Sequence, residues 1–530
     1  MNFLGFVFVI IGFACVALIQ NNEASRILSV FPSPSKSHLL IHCAVAQTLA
    51  EAGHEVTVLA TIGNRDDATT MAMHRRAAYK FIAIEGPTFD RAFSQEMVNR
   101  PMAIYRRVFN ILETIFTLAN STMNHPQMQE FLATHKAGDF DALILGYFMN
   151  DFMLGLGAHF QCPVILSFMI QPIFPINRII GNPSESSYVP NLYTGLKQPM
   201  SFRQRVKNYL STIFEQKILA TILEWNLQKL YRYNFPADRY PPLEEVYKNV
   251  SLVLTNHHFS QGPIRPNVPA LIEIGGIQIK EKPDPLPKEI ADIMDSAENG
   301  VIYFSLGTNV QGSNLSPEKA KMIFNVLSQL PYTVLMKWGD KAFPGQAKNI
   351  IYKSWLPQDD ILAHPKVKLF ITHGGQGSVV ESQYHGVPMV GIPFFGDQHS
   401  NMANVRSSGF GLSLKYATLT EEELRSTVLE VLNNPKYREN VQTFSKLYRD
   451  RPMTPRQLVR YWVDYVIRHN GAKHMQSPAV HMTWWQIQSL DVIGFLLVVV
   501  LGVVGVFVGL CKFLCCKGKK KSVNLKKKNK

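Results

Sequence analysis

Residues 367–398 constrain the fold of this chain more than any other stretch of its sequence. Val367–Thr372 is a short apolar run with β-branched residues, which predicts a buried strand. A glycine pair interrupts the run, residues 376–384 then predict a helix, and residues 387–393 predict another strand. A strand, a glycine turn, a helix and a second strand in this order form the repeating unit of a parallel α/β sheet.

The glycine turn also predicts a binding site for an anion. Unpaired backbone N–H groups and the positive end of the helix dipole meet there, and both favour phosphate. Gly375 lets a ligand approach the backbone, and Ser378 can add a hydroxyl. Glu381 lies one turn further on the same helix face, where a carboxylate could accept hydrogen bonds from a ribose diol. Asp397 and Gln398 follow the next strand, at the sheet edge where ligands bind in such folds.

These residues resemble the signature of the UDP-glycosyltransferases, and in particular of the animal, insect-type membrane members of that family. The positions that carry the likeness are Thr372-His373, Gly374-Gly375, Ser378, Glu381, Pro388, Pro393 and Asp397-Gln398. Two blocks upstream resemble the remainder of the family's donor site, namely residues 304–308 (FSLGT) and 355–358 (WLPQ). The resemblance implies the GT-B fold, in which two Rossmann-like lobes face each other. An ordinary Rossmann-type strand–turn–helix remains the alternative.

The resemblance also implies which residues bind the UDP-sugar. The predicted donor-binding residues are Ser305, Gly307, Thr308, Trp355, Gln358, His373, Gly375, Gly377, Ser378, Glu381, Asp397 and Gln398. By this analogy His373, Gly375 and Ser378 meet the diphosphate, while Glu381 holds the ribose. Gly377 stands where some members have Asn, so only its backbone could contribute.

The other implied contacts are to the base and the sugar. Trp355 is expected to stack on uracil with Gln358 near the ribose, and a Trp packed in the core is the alternative for the former. Asp397 and Gln398 are expected to contact the sugar hydroxyls. These two residues do not separate glucose from glucuronate.

His38 is the candidate catalytic base. It stands in the first turn of a predicted helix, just after the carboxyl end of the strand 26–31. The positive dipole end there disfavours imidazolium, so a neutral ring able to accept a proton is expected. The position also matches the catalytic histidine of the family, and a capping or solvated histidine is the alternative.

The acidic partner that the family provides for this histidine is missing from its usual place. Relatives carry it just after the strand predicted at 141–145, where this chain has Gly146. Asp151 is the nearest substitute and is the second candidate catalytic residue, although a helix cap is the competing role. Without an orienting carboxylate the histidine loses control of its tautomer, which can lower the rate by orders of magnitude.

The chain of 530 residues is too long for a single core, and strands alternate with helices in both halves. We therefore predict two lobes and a membrane anchor. The expected segments are a signal peptide at 1–24, an acceptor-binding lobe at 25–278, a linker at 279–297, a UDP-sugar lobe at 298–454, cross-over and juxtamembrane helices at 455–490, a transmembrane helix at 491–511 and a Lys-rich tail at 512–530. Residues 172–206 predict long loops. Aromatic residues there, Phe202 among them, could line an acceptor pocket or belong to the core.

The two ends of the chain predict its compartment. The apolar run at 3–19 is typical of a secretory signal peptide, and an uncleaved anchor is the alternative. Residues 492–511 carry no charge and form about 30 Å of helix, which spans a bilayer. Lysines follow, so the tail is expected in the cytosol and the body in the lumen. Lys527 and Lys528 resemble the dilysine signal of endoplasmic-reticulum membrane proteins, and attraction of the tail to anionic lipid is a compatible reading.

The composition of the chain limits which partners and cofactors it is expected to have. The net charge is +14, but nine lysines and no acid lie in the tail, so we expect no nucleic-acid partner. No Cys or His spacing predicts a zinc site. We expect neither a metal nor another cofactor, because the UDP-sugar is a co-substrate.

Asn120, Asn249 and Asn314 match the glycan acceptor pattern. Gly505 and Gly509 permit helix pairing in the membrane, which leaves a homo- or hetero-oligomer open.

Together these features predict an inverting hexosyltransferase. The donor would be UDP-glucose, with UDP-glucuronate second, and the acceptor a hydroxyl of a small lipophilic compound that is being detoxified or cleared. A catalytically weak relative that acts by binding a UDP-sugar or a lipophile, alone or by hetero-association, is the first alternative, because Gly146 replaces the carboxylate. A two-lobed binding protein or a nucleotide-sugar epimerase is the second.

Overall fold

The computed structural model describes residues 24–33, 36–62, 77–86, 104–307, 310, 312–339, 343–394 and 396–527. The predicted signal peptide at 1–24, except for Ala24, and the donor-site residue Thr308 lie outside the described residues. The described chain forms two compact units, one ending at Gln476 and the other beginning at Ser477. Both β-sheets of the described chain lie in the first unit.

The first sheet has seven parallel strands in the order β3-β2-β1-β4-β5-β6-β7. The strands are β1 (Arg26–Phe31), β2 (Glu55–Ile62), β3 (Lys80–Glu85), β4 (Ala142–Gly146), β5 (Val164–Phe168), β6 (Val250–Thr255) and β7 (Leu271–Glu273). The central strands β4, β5 and β6 are buried along their whole length, as expected for a parallel sheet covered on both faces. The reversal of strand order between β1 and β4 places a ligand cleft at their carboxyl ends.

Eight α-helices pack around this sheet in the described part of the chain, and the first of them carries the candidate base His38. They are α1 (Lys36–Glu51), α2 (Ile104–Met123), α3 (Pro126–Thr134), α4 (Gly155–Phe160), α5 (Phe174–Ile180), α6 (Phe202–Ile213), α7 (Ala220–Asn234) and α8 (Leu243–Tyr247). A π-helical turn, Phe214–Leu219, joins α6 to α7. The prediction of loops throughout 172–206 was wrong in part, because α5 and the start of α6 lie there. Ser201 and Gln204 form a capping box that starts α6 early.

The second sheet has six parallel strands in the order β10-β9-β8-β11-β12-β13. The strands are β8 (Val301–Ser305), β9 (Thr333–Lys337), β10 (Ile350–Lys353), β11 (Val367–Thr372), β12 (Met389–Gly391) and β13 (Gly411–Ser413). The predicted strand 387–393 is shorter than expected, since only its centre pairs with both neighbours.

Seven helices between Lys288 and Arg449 surround this sheet in the described part of the chain. They are α9 (Lys288–Ser296), α10 (Pro317–Ser328), α11 (Gln358–Leu362), α12 (Gln376–His385), α13 (Gln398–Ser407), α14 (Glu421–Asn433) and α15 (Pro435–Arg449). Helix α10 starts with a side-chain cap, the Ser316 hydroxyl accepting from the Lys319 N–H, and it has proline in its first turn. Helix α15 starts in the same way, with the Asn434 side chain accepting from the Lys436 N–H and Pro435 as the first helical residue.

Two segments tie the lobes together. Helix α16 (Pro455–Arg468) returns to the first lobe, where Val459, Val463 and Val466 belong to its core. The segment after β7 is held to the second lobe by Lys280, whose ammonium contacts Asp360 at 2.7 Å. Asp360 lies in the first turn of α11, the helix that begins at the candidate residue Gln358.

The second unit carries the predicted membrane anchor. It contains a short helix, α17 (Trp484–Ile487), and a long one, α18 (Leu490–Lys527). Within α18, Leu490–Leu514 is long and apolar enough to cross a membrane, with a mean hydropathy of 3.0. The predicted span 491–511 falls inside it, and the chain therefore fits a single-pass membrane protein.

Candidate functional site

The predicted anion site forms at the turn between β11 and α12. Gly374 takes the left-handed backbone conformation, with φ +80°, and its N–H donates to the Thr372 hydroxyl at 3.2 Å. A Cβ at Gly374 would lie 2.5 Å from the side chain of Met402, so glycine is required for packing as well as for conformation. The first N–H groups of α12 lie at the carboxyl edge of the sheet, as the sequence predicted.

His373 lies between two of the predicted glycines. A Cβ on Gly375 would stand 2.4 Å from its Nε2, and one on Gly307 would stand 2.5 Å from its Cε1. Burial, and secondarily the charge of Lys337, lower the pKa of His373 to about 4, so the ring is neutral. Its buried Nδ1 has no hydrogen-bond partner among the described residues. A buried polar atom without a partner is costly and is typical of a site that a ligand completes.

Three residues predicted at the ribose and diphosphate meet in one cluster. The Gln358 amide nitrogen donates to the Glu381 carboxylate at 2.7 Å and to the Ser378 hydroxyl at 3.0 Å. The amide oxygen accepts from the Tyr303 hydroxyl at 3.2 Å. Burial and the nearby charge of Asp359 raise the pKa of Glu381 above its usual range. The cluster therefore holds a carboxyl group in a fixed orientation in the middle of α12, one turn after Ser378.

Other predicted donor residues line or support the same edge. Trp355 is 41% exposed, so its ring is available for stacking and is not packed in the core. Gly377 faces open space, since a Cβ there would meet no atom within 4 Å. Ser305 is buried, and its hydroxyl accepts from the Gly307 N–H at 3.3 Å. The Ser305 hydroxyl therefore stabilises the backbone of the loop that follows β8.

Asp397 and Gln398 lie at the start of α13, beside the anion turn. The Gln398 amide oxygen accepts from the Phe394 N–H at 2.8 Å, which orients the loop after β12. The Asp397 carboxylate accepts from Asn401 at 2.6 Å, and Asn401 also donates to the Gly374 carbonyl at 3.0 Å. Burial raises the pKa of Asp397. Asn401, which the sequence did not single out, thus links two predicted residues.

Lys337 is a second residue that sequence reasoning missed. It ends β9, and its ammonium donates to the Gly307 carbonyl at 3.2 Å. Its charge acts on both His373 and Glu381. Burial, followed by the like charge of Lys36 on α1, lowers the pKa of Lys337 to about 8. A lysine that ends an apolar strand gives no motif, so only its position in the fold reveals a cation at the donor site.

His38 lies in the first turn of α1, as predicted. Its ring packs against that of Phe148, with centroids 5.5 Å apart. Burial lowers its pKa to about 4, so the ring is neutral at physiological pH. The sequence predicted a neutral ring from the helix dipole, whereas burial is the cause that the structure shows.

A second histidine, His42, packs against Gly146, the position at which the family has its carboxylate. A Cβ on Gly146 would lie 3.2 Å from the ring of His42 and 3.0 Å from that of Phe31. The Nδ1 of His42 lies 2.8 Å from the Ser167 hydroxyl. Burial, followed by the neighbouring His38, lowers the pKa of His42 to about 3. The signal for His42 was its place one helical turn after His38, on the same face of α1.

Asp151 has other partners than the one predicted for it. It is buried, and its carboxylate accepts from the Tyr147 hydroxyl at 3.1 Å. Burial raises its pKa to about 6, while the charge of Arg178 opposes that shift. Nor does it cap a helix through its side chain, since Asn150 occupies the cap position. A dyad of Asp151 with His38 stays a prediction.

The glycan acceptor asparagines differ in exposure. Asn314 is 3% exposed, so a glycan there would displace packed neighbours. Asn120 and Asn249 are half-buried, and the Asn249 amide donates to the Cys162 carbonyl at 3.0 Å. Among the described residues, no group of three or more His, Cys, Asp or Glu side chains could hold a metal ion.

Comparison of the sequence with protein families gives one match over most of the chain. Residues 26–528 match the family described as UDP-glucoronosyl and UDP-glucosyl transferase. The chain is 35% identical to UDP-glycosyltransferase UGT4 of Dactylopius coccus over 91% of this chain and 94% of that protein. It is 33% identical to human UDP-glucuronosyltransferase 2A2 over 92% of each chain.

Solved structures are similar at the level of the fold. Arabidopsis thaliana UGT89C1 complexed with UDP superposes with a TM-score of 0.55 and 14% identity, over 84% of this chain and 99% of that one. The calicheamicin glycosyltransferase CalG4 superposes with a TM-score of 0.52 and 17% identity, over 84% and 99%. At these identities the likeness concerns the arrangement of the two lobes.

Proposed function

The chain belongs to the UDP-glucoronosyl and UDP-glucosyl transferase family, and on that premise we propose that it transfers a hexose, with inversion, to a hydroxyl group of a small apolar acceptor. Members of this family transfer a sugar from a UDP-sugar to an acceptor, and the chain is such an enzyme with the GT-B fold. The observation that carries the proposal is the hydrogen-bonded cluster of Gln358, Glu381 and Ser378 on α12, which follows the turn that holds the neutral ring of His373.

The donor would lie along the carboxyl edge of the second sheet. The exposed ring of Trp355 would stack on uracil, and the oriented Glu381 carboxyl would accept from the ribose hydroxyls. The diphosphate would meet the first amides of α12 and the ring of His373. Lys337 would add a half-buried positive charge close to those oxygens. Asp397 and Gln398 would bind the sugar hydroxyls beyond the anion turn.

The chemistry needs a base and a stabilised leaving group. Neutral His38 would accept the proton of the acceptor hydroxyl while the acceptor oxygen attacks the anomeric carbon. The bond from that carbon to the diphosphate oxygen breaks at the same time, which inverts the configuration and releases UDP. The negative charge on UDP would be stabilised by the α12 amides and by Lys337. These groups are oriented before the reaction, so little reorganisation is required.

Glucose is proposed as the sugar, with glucuronate second. Relatives that carry either sugar in their names match the chain to a similar degree, UDP-glucosyltransferase 2 of Dactylopius coccus at 32% and human UDP-glucuronosyltransferase 2A2 at 33% identity. We also propose that the enzyme resides in the endoplasmic-reticulum membrane with its body in the lumen, detoxifying lipophilic compounds. The Lys-rich tail that follows the apolar helix supports this orientation.

The deciding experiment compares UDP-glucose and UDP-glucuronate on microsomes that express the full chain, with a panel of phenols and apolar alcohols. Glucoside formation with the first donor is the expected result. Products would be identified by mass spectrometry, and their anomeric configuration by NMR. Microsomes with a His38→Ala chain serve as the matched control. Glucuronide formation alone would reverse the order of donors, and retained anomeric configuration would overturn the proposed mechanism.

A second candidate function has one observation in its favour. Gly146 leaves no carboxylate at the family's usual position, and the ring of His42 fills the space instead. A chain of this kind could act by binding a UDP-sugar or a lipophile with little turnover. Calorimetric binding of UDP together with no transfer across the acceptor panel would favour this alternative.

A further inference from the structure

The helices α6 and α7 and the π-helical turn between them present an apolar face to the outside of the first lobe. We call these residues the apolar stripe, and their exposed fractions run from 37% to 71%. They are Phe202, Val206, Tyr209, Leu210, Ile213, Phe214, Ile218, Ile222, Trp225 and Tyr233. The spacing of three or four between most of them places them along one side of the helices.

The inward face of α6 is polar, which reverses the arrangement usual for a helix on a water-soluble surface. Asn208 is fully buried and donates to the carbonyls of Ser186 and Val189 at 2.8 and 2.9 Å. Its side-chain oxygen accepts from the Asn191 N–H at 2.7 Å. Thr212 is also buried. These bonds hold α6 with its polar side inward, so the stripe cannot rotate into the core without leaving Asn208 unsatisfied.

The exposed charged residues of the segment that carries the stripe all have one sign. The exposed charged residues of the segment 202–234, all of which is described, are Arg203, Arg205, Lys207, Lys217, Lys229 and Arg232. Both acids of the segment are partly buried and have partners: Glu215 accepts from Asn191, and Glu224 pairs with Arg178. Within this segment the exposed side chains that carry a charge are therefore all cationic, and none of them is acidic.

We propose that the apolar stripe binds the interface of a lipid bilayer that contains anionic lipids. Apolar side chains flanked by lysine and arginine are the composition of helices that lie in a membrane surface. The exposed rings of Trp225 and Tyr209 suit the headgroup region, where such residues are enriched. The chain also carries the membrane-crossing helix that begins at Leu490, so it works next to a bilayer.

A second copy of the chain fits the same surface less well. The cores of protein–protein interfaces are depleted of charged residues, lysine in particular. Two copies of the stripe brought together by a two-fold axis would also bring their flanking cations together, with no exposed acid in the segment to pair with them. Charge complementarity therefore favours anionic lipid.

The test uses the full chain in lipid nanodiscs, one set made with neutral phosphatidylcholine and the other with added phosphatidylserine. A photoreactive diazirine on the acyl chain labels residues in contact with lipid, and mass spectrometry maps the labelled peptides. We expect labelling of peptides from 202–234 as well as from the helix that begins at Leu490, and more of it with phosphatidylserine. Helix α14, whose exposed side is charged, gives the background.

Two multiple variants test the apolar and the cationic parts of the proposal separately. Phe214→Ser combined with Trp225→Ser should lower labelling of 202–234 at least about fivefold, since it removes two exposed rings from the middle of the stripe. Labelling of the Leu490 helix and the affinity for UDP, which reports the fold, should stay unchanged. Arg203→Gln, Arg205→Gln and Lys207→Gln together should abolish the preference for phosphatidylserine.

Two outcomes would overturn the proposal. One is labelling of 202–234 at the α14 background in both sets of discs, with UDP binding intact. The other is a short cross-linker joining the stripes of two chains in one disc, which would make a second copy the occupant.

Discussion

Gln358 donates its side-chain amide to the Glu381 carboxylate across 2.7 Å, joining the first residue of α11 to the middle of α12. The same nitrogen donates to Ser378 at 3.0 Å, so both acceptors are oriented before any ligand arrives. Burial, followed by the charge of Asp359, raises the pKa of Glu381, since both disfavour its charged form. A ribose diol would supply two further donors to this carboxyl.

Replacing Glu381 should weaken the binding of UDP. Glu381→Ala removes the acceptor for the ribose, and we expect a loss of about tenfold to a hundredfold in affinity, as when a hydrogen-bond partner is removed and the remaining polar groups are left unsatisfied. Calorimetry on the purified full chain measures it. Glu422→Ala, an exposed acid at the start of α14, is the matched control and should bind UDP as the original chain does. Equal affinity of the two variants would remove the ribose assignment.

Lys337 should act on the donor through its charge. Lys337→Met keeps the length of the side chain and removes the cation, so we expect KM for the UDP-sugar to rise about tenfold or more. Lys337→Arg should recover part of the loss. Lys321→Met changes an exposed lysine on α10 and should alter neither kcat nor KM. An unchanged KM in Lys337→Met would mean that the half-buried charge serves only to hold the Gly307 loop.

Loss of the His38 ring should stop transfer without preventing donor binding. His38→Ala removes the proposed base, and we expect kcat to fall by about a hundredfold to ten-thousandfold. The affinity for UDP should remain, because α1 belongs to the other lobe. Steady-state kinetics and calorimetry on the same preparation separate the two effects. Full activity of the variant would exclude His38 as the base.

The pH profile distinguishes a buried base from a solvated one. Burial lowers the pKa of His38 to about 4, so protonation of this ring should not reduce kcat/KM between about pH 7.5 and about pH 5.5. If the Asp151 carboxylate is needed as well, its pKa of about 6 accounts for a fall of about fourfold over that range. A solvated histidine with a pKa of about 6.5 would lose about tenfold over that range.

The histidines with lowered pKa values should make the fold less stable in acid. Below a pH of about 6.5 the unfolded chain protonates His38, His42 and His373 while the folded chain does not, so these residues lower the free energy of unfolding as pH drops. The raised pKa values of Glu381 and Asp151 act in the opposite direction, because the folded chain protonates these acids first. Circular dichroism at each pH therefore has to accompany the kinetics. A tenfold fall in kcat/KM while the protein remains folded would contradict the buried, neutral base.

Restoring a carboxylate at position 146 should fail unless His42 is changed as well. In Gly146→Asp the new Cβ would lie 3.2 Å from the ring of His42, so we expect a destabilisation of about 1–3 kcal/mol. Gly146→Asp combined with His42→Ala opens the space and should recover stability relative to Gly146→Asp. Thermal unfolding and kcat of both single variants and the double variant form the cycle. Additive effects would show that the two positions do not compete for the same volume.

The donor site could be predicted largely from the sequence, because its residues follow one another along a single strand–turn–helix unit. Glu381 and Ser378 lie on one helix face whatever surrounds them, and Gly374 is required by the turn itself. Gln358 was assigned by resemblance to the family, and the structure brings it to Glu381. Lys337 was missed, since a lysine at the end of a strand carries no pattern of its own.

Local spacing along the chain thus determined two parallel α/β lobes, the turn at the head of α12 and the apolar helix near the carboxyl end. These features depend on hydrogen bonds and periodicities within a few residues of each other. The tertiary structure decided what lies beside Gly146, the partners of Asp151 and the side of α6 that faces outward. Each of these depends on which distant groups share a buried volume or compete for the same hydrogen bond, and no local periodicity encodes that.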